Sequence, residues 1–225
     1  ELSEAMKEAN ATLLETGGAT PNKIWQEGDS QNAIYAVRSL GIDPSNGREL
    51  FLKKNGEVTY TWDANDRVFC GVDQPDYRGN INTMFMWKDL SVNLSFGYEW
   101  GGQQYNSTLI SRVENADKKY NVDRRVYEDR WKEPGDRTFF KGINETTATQ
   151  ATSRFVQDEA TFTCQNLNVT YDLKGNKWLK RNLGIQTLTL KGDIADLFRI
   201  STIKQERGTS YPFSRQFSFT LSAMF

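Results

Sequence analysis

The sequence predicts an all-β chain of antiparallel, membrane-spanning strands belonging to a β-barrel with long extracellular loops. Three observations carry that prediction. From Leu90 to Trp100 the residues Leu90, Val92, Leu94, Phe96, Tyr98 and Trp100 alternate without exception with Ser91, Asn93, Ser95, Gly97 and Glu99. A tilted membrane strand needs roughly 9–11 residues with one side apolar and the other polar, and this run has both properties. The chain closes on a second such run, in which Phe213, Phe217, Phe219, Leu221, Ala223 and Phe225 face Ser214, Gln216, Ser218, Thr220, Ser222 and Met224. Connections between the long runs alternate short and long, as expected of a barrel with tight turns on one side of the membrane and large loops on the other.

The elements follow in order. Residues 1–15 show helical spacing through Leu2, Met6 and Leu13, with Gly17-Gly18 as a stop. From Trp25 to about Gly79 the chain is loop-rich: Gly41-Ile42-Asp43-Pro44 and Ser45-Asn46-Gly47 are turn chemistry, and Asn55-Gly56 predicts a hairpin joining Glu49–Lys53 to Val58–Trp62. Residues 1–76 therefore read as an extracellular loop region with a short helix and small hairpins, and 77–225 as barrel strands. The strands are expected at about 77–88, 90–101, 161–172, 183–194 and 213–225, with long loops at 102–160 and 195–212. Lys88-Asp89 is the first tight turn, with Asp as the residue suited to a left-handed conformation. In the third strand Leu167, Val169 and Tyr171 oppose Asn166, Asn168 and Thr170. The fourth is less regular, because Leu188 and Leu190 are in one phase and Leu183 and Ile185 in the other, which predicts a bulge. In the last strand Arg215 interrupts the apolar side near its outer end, where its stem can snorkel.

Bulk composition is compatible with this picture. The 225 residues are 37% apolar, with a mean hydropathy of -0.67. No stretch approaches the ~20 consecutive apolar residues of a membrane helix, but alternating strands average to modest hydropathy in any case. With 28 basic and 29 acidic residues the chain offers no polyphosphate-binding field, so nucleic acid is not an expected partner. The absence of histidine excludes Ser-His-Asp and Cys-His nucleophile systems and His-containing zinc sites. Two isolated cysteines, Cys70 and Cys164, make neither a metal cluster nor a disulfide framework. Carboxylate pairs such as Asp63 with Asp66 or Asp129 with Glu133 could in principle hydrolyse a glycoside, but they lie in charged loops where solvated acids are the ordinary explanation. The Asp63–Asp66 run fails calcium-loop spacing because Arg67 stands where a ligand should. No enzyme, cofactor or metal is expected. Asn-x-Ser/Thr sequons start at Asn10, Asn93, Asn106, Asn144 and Asn168, and two of these fall inside expected strands, so they read as incidental. Glu1 reads as an interior cut and Phe225 as the natural end.

Several ordered motifs bear a family resemblance. Gly41-Ile42-Asp43-Pro44, Tyr105-Asn106-Ser107-Thr108-Leu109, Val113-Glu114-Asn115-Ala116-Asp117, Asn121–Val126, Asp129-Arg130-Trp131 with Pro134-Gly135-Asp136, Ser153-Arg154-Phe155-Val156 and the run Ile203–Phe213 together resemble the SusC/RagA family of TonB-linked outer-membrane transporters. The resemblance runs from about Gly41 to Phe225. It implies a plugged barrel of about 22 strands in the outer membrane of a Gram-negative bacterium, of which this chain would be the C-terminal part. It also implies a SusD-like surface lipoprotein as lid, and the TonB complex as energy source, contacted through parts not in this chain. The remainder of the barrel and outer-membrane lipid would be further partners. The implied activity is import of a bulky nutrient, an oligosaccharide first and a peptide second.

On that reading Leu90, Val92, Leu94, Phe96, Phe217, Phe219 and Leu221 face lipid, while Asn93, Ser95, Glu99, Asn166, Asn168, Ser218 and Thr220 line the lumen. Phe217, Phe219, Leu221 and Phe225 form an ending that resembles a barrel-assembly signal. Among residues outside the strands, Trp62, Tyr127, Arg130 and Trp131 are the candidates for contact with substrate or lid: flat aromatic faces suit sugar stacking, and arginine suits hydroxyl groups. The competing explanation is that they form small loop cores, and the stretch Val122–Trp131 has a rough apolar stripe that suits one. A soluble carbohydrate-binding β-sandwich is the alternative to the barrel, and a secreted glycosidase a further one.

Overall fold

The structure is a computed structural model that describes residues 2–15, 17–21, 23–117, 119–120, 122–174, 176–203 and 215–225. Asn121 and most of the Ile203–Phe213 motif, together with the start of the last expected strand at Phe213 and Ser214, lie outside the described residues. The elements run in the order α1 (Glu4–Glu15), β1 (Ala33–Ile42), β2 (Glu49–Leu52), β3 (Val58–Thr59), β4 (Arg67–Val72), β5 (Tyr77–Trp87), β6 (Leu90–Tyr105), α2 (Ser107–Leu109), α3 (Arg125–Glu128), β7 (Val156–Lys174), α4 (Lys177–Leu183), β8 (Thr187–Ser201) and β9 (Gln216–Met224). The chain divides into two compact units: residues 1–75 with 102–158, and residues 76–101 with 159–225. The expected 102–160 loop thus folds together with the N-terminal region.

The first unit carries a four-stranded antiparallel sheet in the order β3-β2-β1-β4. The Asn55-Gly56 hairpin forms as the turn chemistry predicts, with Gly56 at φ 86 and Phe51 paired with Thr59. β1 and β4 were not anticipated. Ala33 to Val37 are all buried, so β1 has no period-2 signature to read. Leu109, Ile110, Val113, Val126, Phe140 and Phe155 form the main core cluster. The expected stripe on Val122–Trp131 is only partly realised: Val126 is 3% exposed, whereas Val122 is 38% exposed.

The second unit is a five-stranded antiparallel sheet with the meander order β5-β6-β7-β8-β9. Its ladders place the sequence alternation in register. Ile81 pairs with Phe96 and Phe85 with Val92; Leu167 pairs with Ile194, and Tyr171 with Leu190; Ile194 continues to Phe217, Gly192 to Phe219 and Leu190 to Leu221. On the reverse side Asn82 pairs with Ser95, Asn168 with Asp193, and Asp193 with Ser218. Met84 and Met86 are apolar exceptions on that reverse side, opposite Asn93 and Ser91.

Four local expectations change. The β5–β6 turn is two residues long, but Lys88 rather than Asp89 takes the left-handed conformation, at φ 54. Gly101-Gly102 does not end β6, which continues to Tyr105. A Cβ on Gly101 would lie 2.6 Å from the Asp76 carboxylate, so the residue is kept small by a close approach. The 183–194 strand is corrected: Lys177–Leu183 is helical, capped by the Asn176 side chain on the amides of Trp178 and Leu179 and stopped by Gly184 at φ 70. Leu183 was out of phase because it belongs to that helix. The bulge sits further on, where the β7–β8 register shifts between Cys164 and Asn166 and Asp196 adopts φ 51. Cys70 and Cys164 are both free thiols.

Candidate functional site

Two features could act on something outside the chain, one in each unit. In the five-stranded sheet the polar side chains do more than share a face, since they are hydrogen-bonded across it. Ser95 donates to Asn82 Oδ1 at 2.7 Å and Asn93 Nδ2 to Asn168 Oδ1 at 3.3 Å. Asn168 Nδ2 in turn donates to Asp193, which accepts from Ser218 Oγ at 3.4 Å. Gln165 Nε2 donates to Asn80 Oδ1 at 3.4 Å, so residues on either side of the β7 irregularity contribute to the same polar surface. Glu99 joins it through an ion pair with Arg78 at 2.8 Å. Asn93, Ser95, Glu99, Asn166, Asn168, Ser218 and Thr220 all fall on this side by register.

The opposite side holds Leu90, Val92, Leu94, Phe96, Phe217, Phe219 and Leu221 by the same register. Phe96 stacks on Phe162 with ring centroids 5.5 Å apart, and Tyr98 stacks on Trp100 at 5.1 Å. On the outer strands these residues remain open: Phe85 and Trp87 are 60% exposed, Phe217 69% and Phe219 74%. An apolar surface this contiguous marks a binding or membrane surface, because isolated exposed hydrophobics do not line up in ladders. Phe225 is likewise exposed.

In the first unit, a cavity of about 340 Å³ is lined by Arg48, Glu49, Phe51, Tyr60, Trp62, Lys141 and Glu145, with Thr147 to Gln150 closing it. Trp62 is held against it by its indole, which donates to the Ala151 carbonyl at 3.1 Å, and by Arg67 over its ring at 5.4 Å. Tyr60 lies beneath the Arg48 guanidinium at 4.9 Å and donates its hydroxyl to Asp43. That hydrogen bond, with two from Ser45, holds the Asp43 carboxyl below its ordinary range. Lys141 is 5% exposed and donates to the Thr147 carbonyl; burial pushes its ammonium pKa down. The mixture of two aromatic faces with fixed cations and carboxylates can hold a polar, partly flat organic ligand.

Behind the cavity lies a buried ionic triad. Arg154 Nε and Nη2 fork onto Glu49 at 3.0 and 2.7 Å, while its Nη2 and Nη1 reach Glu114 at 2.7 and 3.2 Å. The three side chains are 4%, 7% and 0% exposed. Burial alone would lower the Arg154 pKa, but the two carboxylates hold it above its ordinary value. Glu114 belongs to a π-helical turn, Ile110–Glu114, that follows α2. Such a turn re-aims side chains relative to a regular helix. No groups of three or more potential metal ligands occur among the described residues.

Of the four candidate contact residues, only Trp62 lines this cavity. Tyr127 is 70% exposed, with the Lys132 ammonium 4.2 Å from its ring centre. Arg130 requires correction: it is 4% exposed, and its guanidinium donates to the carbonyls of Val113, Glu114 and Lys141. It therefore satisfies buried backbone acceptors and does not face an external ligand. Trp131 is spent on the loop itself, donating to the Pro44 carbonyl at 2.9 Å with its ring packed where a Gly47 Cβ would fall. Glu49 was missed because no local pattern marks a residue whose partner, Arg154, lies 105 positions away, and Lys141 because nothing in the sequence marks its ammonium as buried.

Replacing Arg154 by Met should cost the first unit about 3–5 kcal/mol, since two buried carboxylates lose the guanidinium they share. Arg154→Lys should recover only part of that loss, because an ammonium cannot serve both carboxylates with parallel donors. Denaturant unfolding followed by tryptophan fluorescence checks this, and a Met variant unfolding at the wild-type midpoint contradicts it.

No family model matches the chain, and no curated protein matches it. Solved structures do. The chain is similar to a chain of the RagAB peptide importer in its "open-open" state, with a TM-score of 0.69, 20% identity and 89% of this chain covered. A RagAB peptide transporter structure gives 0.60 at 19% identity over 76% of this chain. The importer's "closed-closed" state gives 0.58 at 19% over 75%. The matched part is 23%, 20% and 19% of those chains, so this chain spans under a quarter of their length. What this likeness establishes is the fold alone: over most of its length the chain is folded like a portion of the RagAB importer chains.

Proposed function

We propose that this chain is the C-terminal part of a large, plugged outer-membrane β-barrel of about 22 strands that imports a bulky nutrient, an oligosaccharide or a peptide. The observation that carries the reading is the two-sidedness of the β5–β9 sheet. One side is a hydrogen-bonded polar surface suited to a wet lumen, and the other is an exposed apolar surface suited to hydrocarbon. A β-sandwich would lay a second sheet on the apolar side, and the high exposure of Phe85, Trp87, Phe217, Phe219 and Leu221 speaks against that. No helix among the described residues is long and apolar enough to cross a membrane.

The likeness to peptide-importer chains supports transport over catalysis. Motif resemblance supports a SusD-like lipoprotein lid, and energy from the TonB complex reached through parts outside these residues. The barrel edges at β5 and β9 would be completed by the rest of the same barrel. Within the first unit, the cavity beside Trp62 and Tyr60 is the surface we assign to substrate or lid.

Two measurements test this reading. In the full barrel, Leu94→Arg should cost about 2–4 kcal/mol in lipid or detergent, while Asn93→Arg leaves folding nearly unchanged; equal effects would reverse or abolish the assigned faces. In cells, uptake of labelled oligosaccharides and peptides should require the intact protein and stop when the proton-motive force is collapsed. Uptake that persists under either condition contradicts active import.

A further inference from the structure

The short-turn end of the five-stranded sheet carries a chemistry that nutrient import does not require. Its two connections lie side by side, because the Asp172 amide donates to the Asp89 carbonyl at 2.9 Å. One connection needs only Lys88-Asp89 to reverse the chain. The other inserts α4, a helix with an Asn176 cap and a Gly184 stop. That helix is anchored by a single buried residue, Leu179. At 100° per residue, Lys177, Lys180 and Arg181 form one stripe pointing away from Leu179. All three are exposed, and no carboxylate pairs with them among the described residues. Trp178, flanking the stripe, is 63% exposed, and Leu183 is 52% exposed. The neighbouring turn adds Lys88, whose ammonium lies 5.1 Å from the centre of the Trp87 ring, with Trp87 itself 60% exposed. Of the nearby acids, Asp172 is already engaged by Thr189 at 2.6 Å and Lys174 at 3.2 Å, and Asp89, exposed in the turn itself, sets one negative charge against the four cations.

Unpaired cations interleaved with open indole rings are a poor match to water alone and a good match to a headgroup layer. There phosphates take the ammonium and guanidinium donors, and the amphipathic rings sit at the boundary with the acyl chains. We propose that α4 and the Lys88 turn form a docking surface for anionic phospholipid of the periplasmic leaflet, in which Lys177, Lys180 and Arg181 bind headgroup phosphate and Trp178 fixes the depth. This inference rests on the barrel reading, because it needs the apolar side of the sheet in hydrocarbon and the tight turns at the periplasmic rim. The surface would hold the barrel's tilt and depth at one rim by binding lipid there.

The test uses the full protein, purified in mild detergent and titrated with phosphatidylglycerol, phosphatidylcholine or lipid A, with bound lipid counted by native mass spectrometry. The wild-type protein should prefer phosphatidylglycerol to both others. The K177Q/K180Q/R181Q variant should lose tenfold or more of that affinity, since each cation near an anionic surface contributes roughly fivefold, and its weak phosphatidylcholine binding should not change. Heat-modifiable migration on gels, run in parallel, reports whether the barrel is folded. A folded variant that binds phosphatidylglycerol as the wild type does overturns the inference, as does equal binding of phosphatidylglycerol and phosphatidylcholine. Preference for lipid A, lost in the variant, would place these turns at the outer leaflet and also overturn it. A wild-type protein that shows no heat-modifiable barrel sinks the barrel reading itself, which is a separate and visible outcome.

Discussion

A strand turns successive side chains to opposite sides, and the β5–β9 sheet uses that constraint to keep a polar face apart from an apolar one. Register does the rest. Because Asn168 pairs with Asp193 and Asp193 with Ser218, a polar residue in one strand meets polar neighbours in the next, and the same ladder brings Leu167, Ile194 and Phe217 together. A slip of one residue in any strand would carry its Leu and Phe row to the polar side. The irregularity between Cys164 and Asn166, matched by the left-handed Asp196, shows how the sheet tolerates a change of phase: Thr163 donates to the Gly97 carbonyl and Gln165 meets Asn80, so the polar surface remains continuous across it.

The first unit solves a different problem. Its sheet is small and its apolar cluster modest, and much of the chain between the elements has no regular structure. Arg154 compensates by binding Glu49 of β2 and Glu114 of the π-helical turn at once, tying three segments far apart in sequence. Arg130 does the same for backbone, satisfying carbonyls of Val113, Glu114 and Lys141. Replacing a whole buried triad by apolar groups of similar volume can be neutral in stability, whereas removing one partner leaves the others as uncompensated buried charges. Their value here lies in geometry, since a doubly forked arginine accepts only one arrangement of its partners. The cavity beside Trp62 inherits that rigidity through Glu49, which belongs to both the triad and the lining.

How much of this was legible in the sequence depended on whether burial was one-sided. β6 from Leu90 to Trp100 and β9 from Gln216 to Ala223 could be read residue by residue, because one side of each run is polar or small and the other apolar. β1 could not, since Ala33 to Val37 are buried on both sides and leave a run without period. Leu183 misled for a physical reason: a helix and a strand both tolerate a lone leucine beside a glycine, and the Asn176 cap that decides between them is a weaker signal than the phase of Leu188 and Leu190. The candidate site was legible where a residue acts alone, as with Trp62. It was hidden where a residue acts through a distant partner, as with Glu49, or is buried with no pattern to mark it, as with Lys141, and misread at Arg130, whose charge suggested exposure while its donors were needed inside.

The central claim is that the two sides of the sheet meet different media, and site-directed labelling along β9 tests it most directly. Single cysteines at positions 216 to 221, each carrying a fluorophore in the full protein reconstituted in vesicles, would be quenched in turn by a lipid-attached nitroxide and by a water-soluble quencher. The account predicts strict alternation: positions 217, 219 and 221 quenched from the lipid, and 216, 218 and 220 from the water. Quenching of both sets by the aqueous reagent, or protection of the Phe217 row from both reagents, would contradict it.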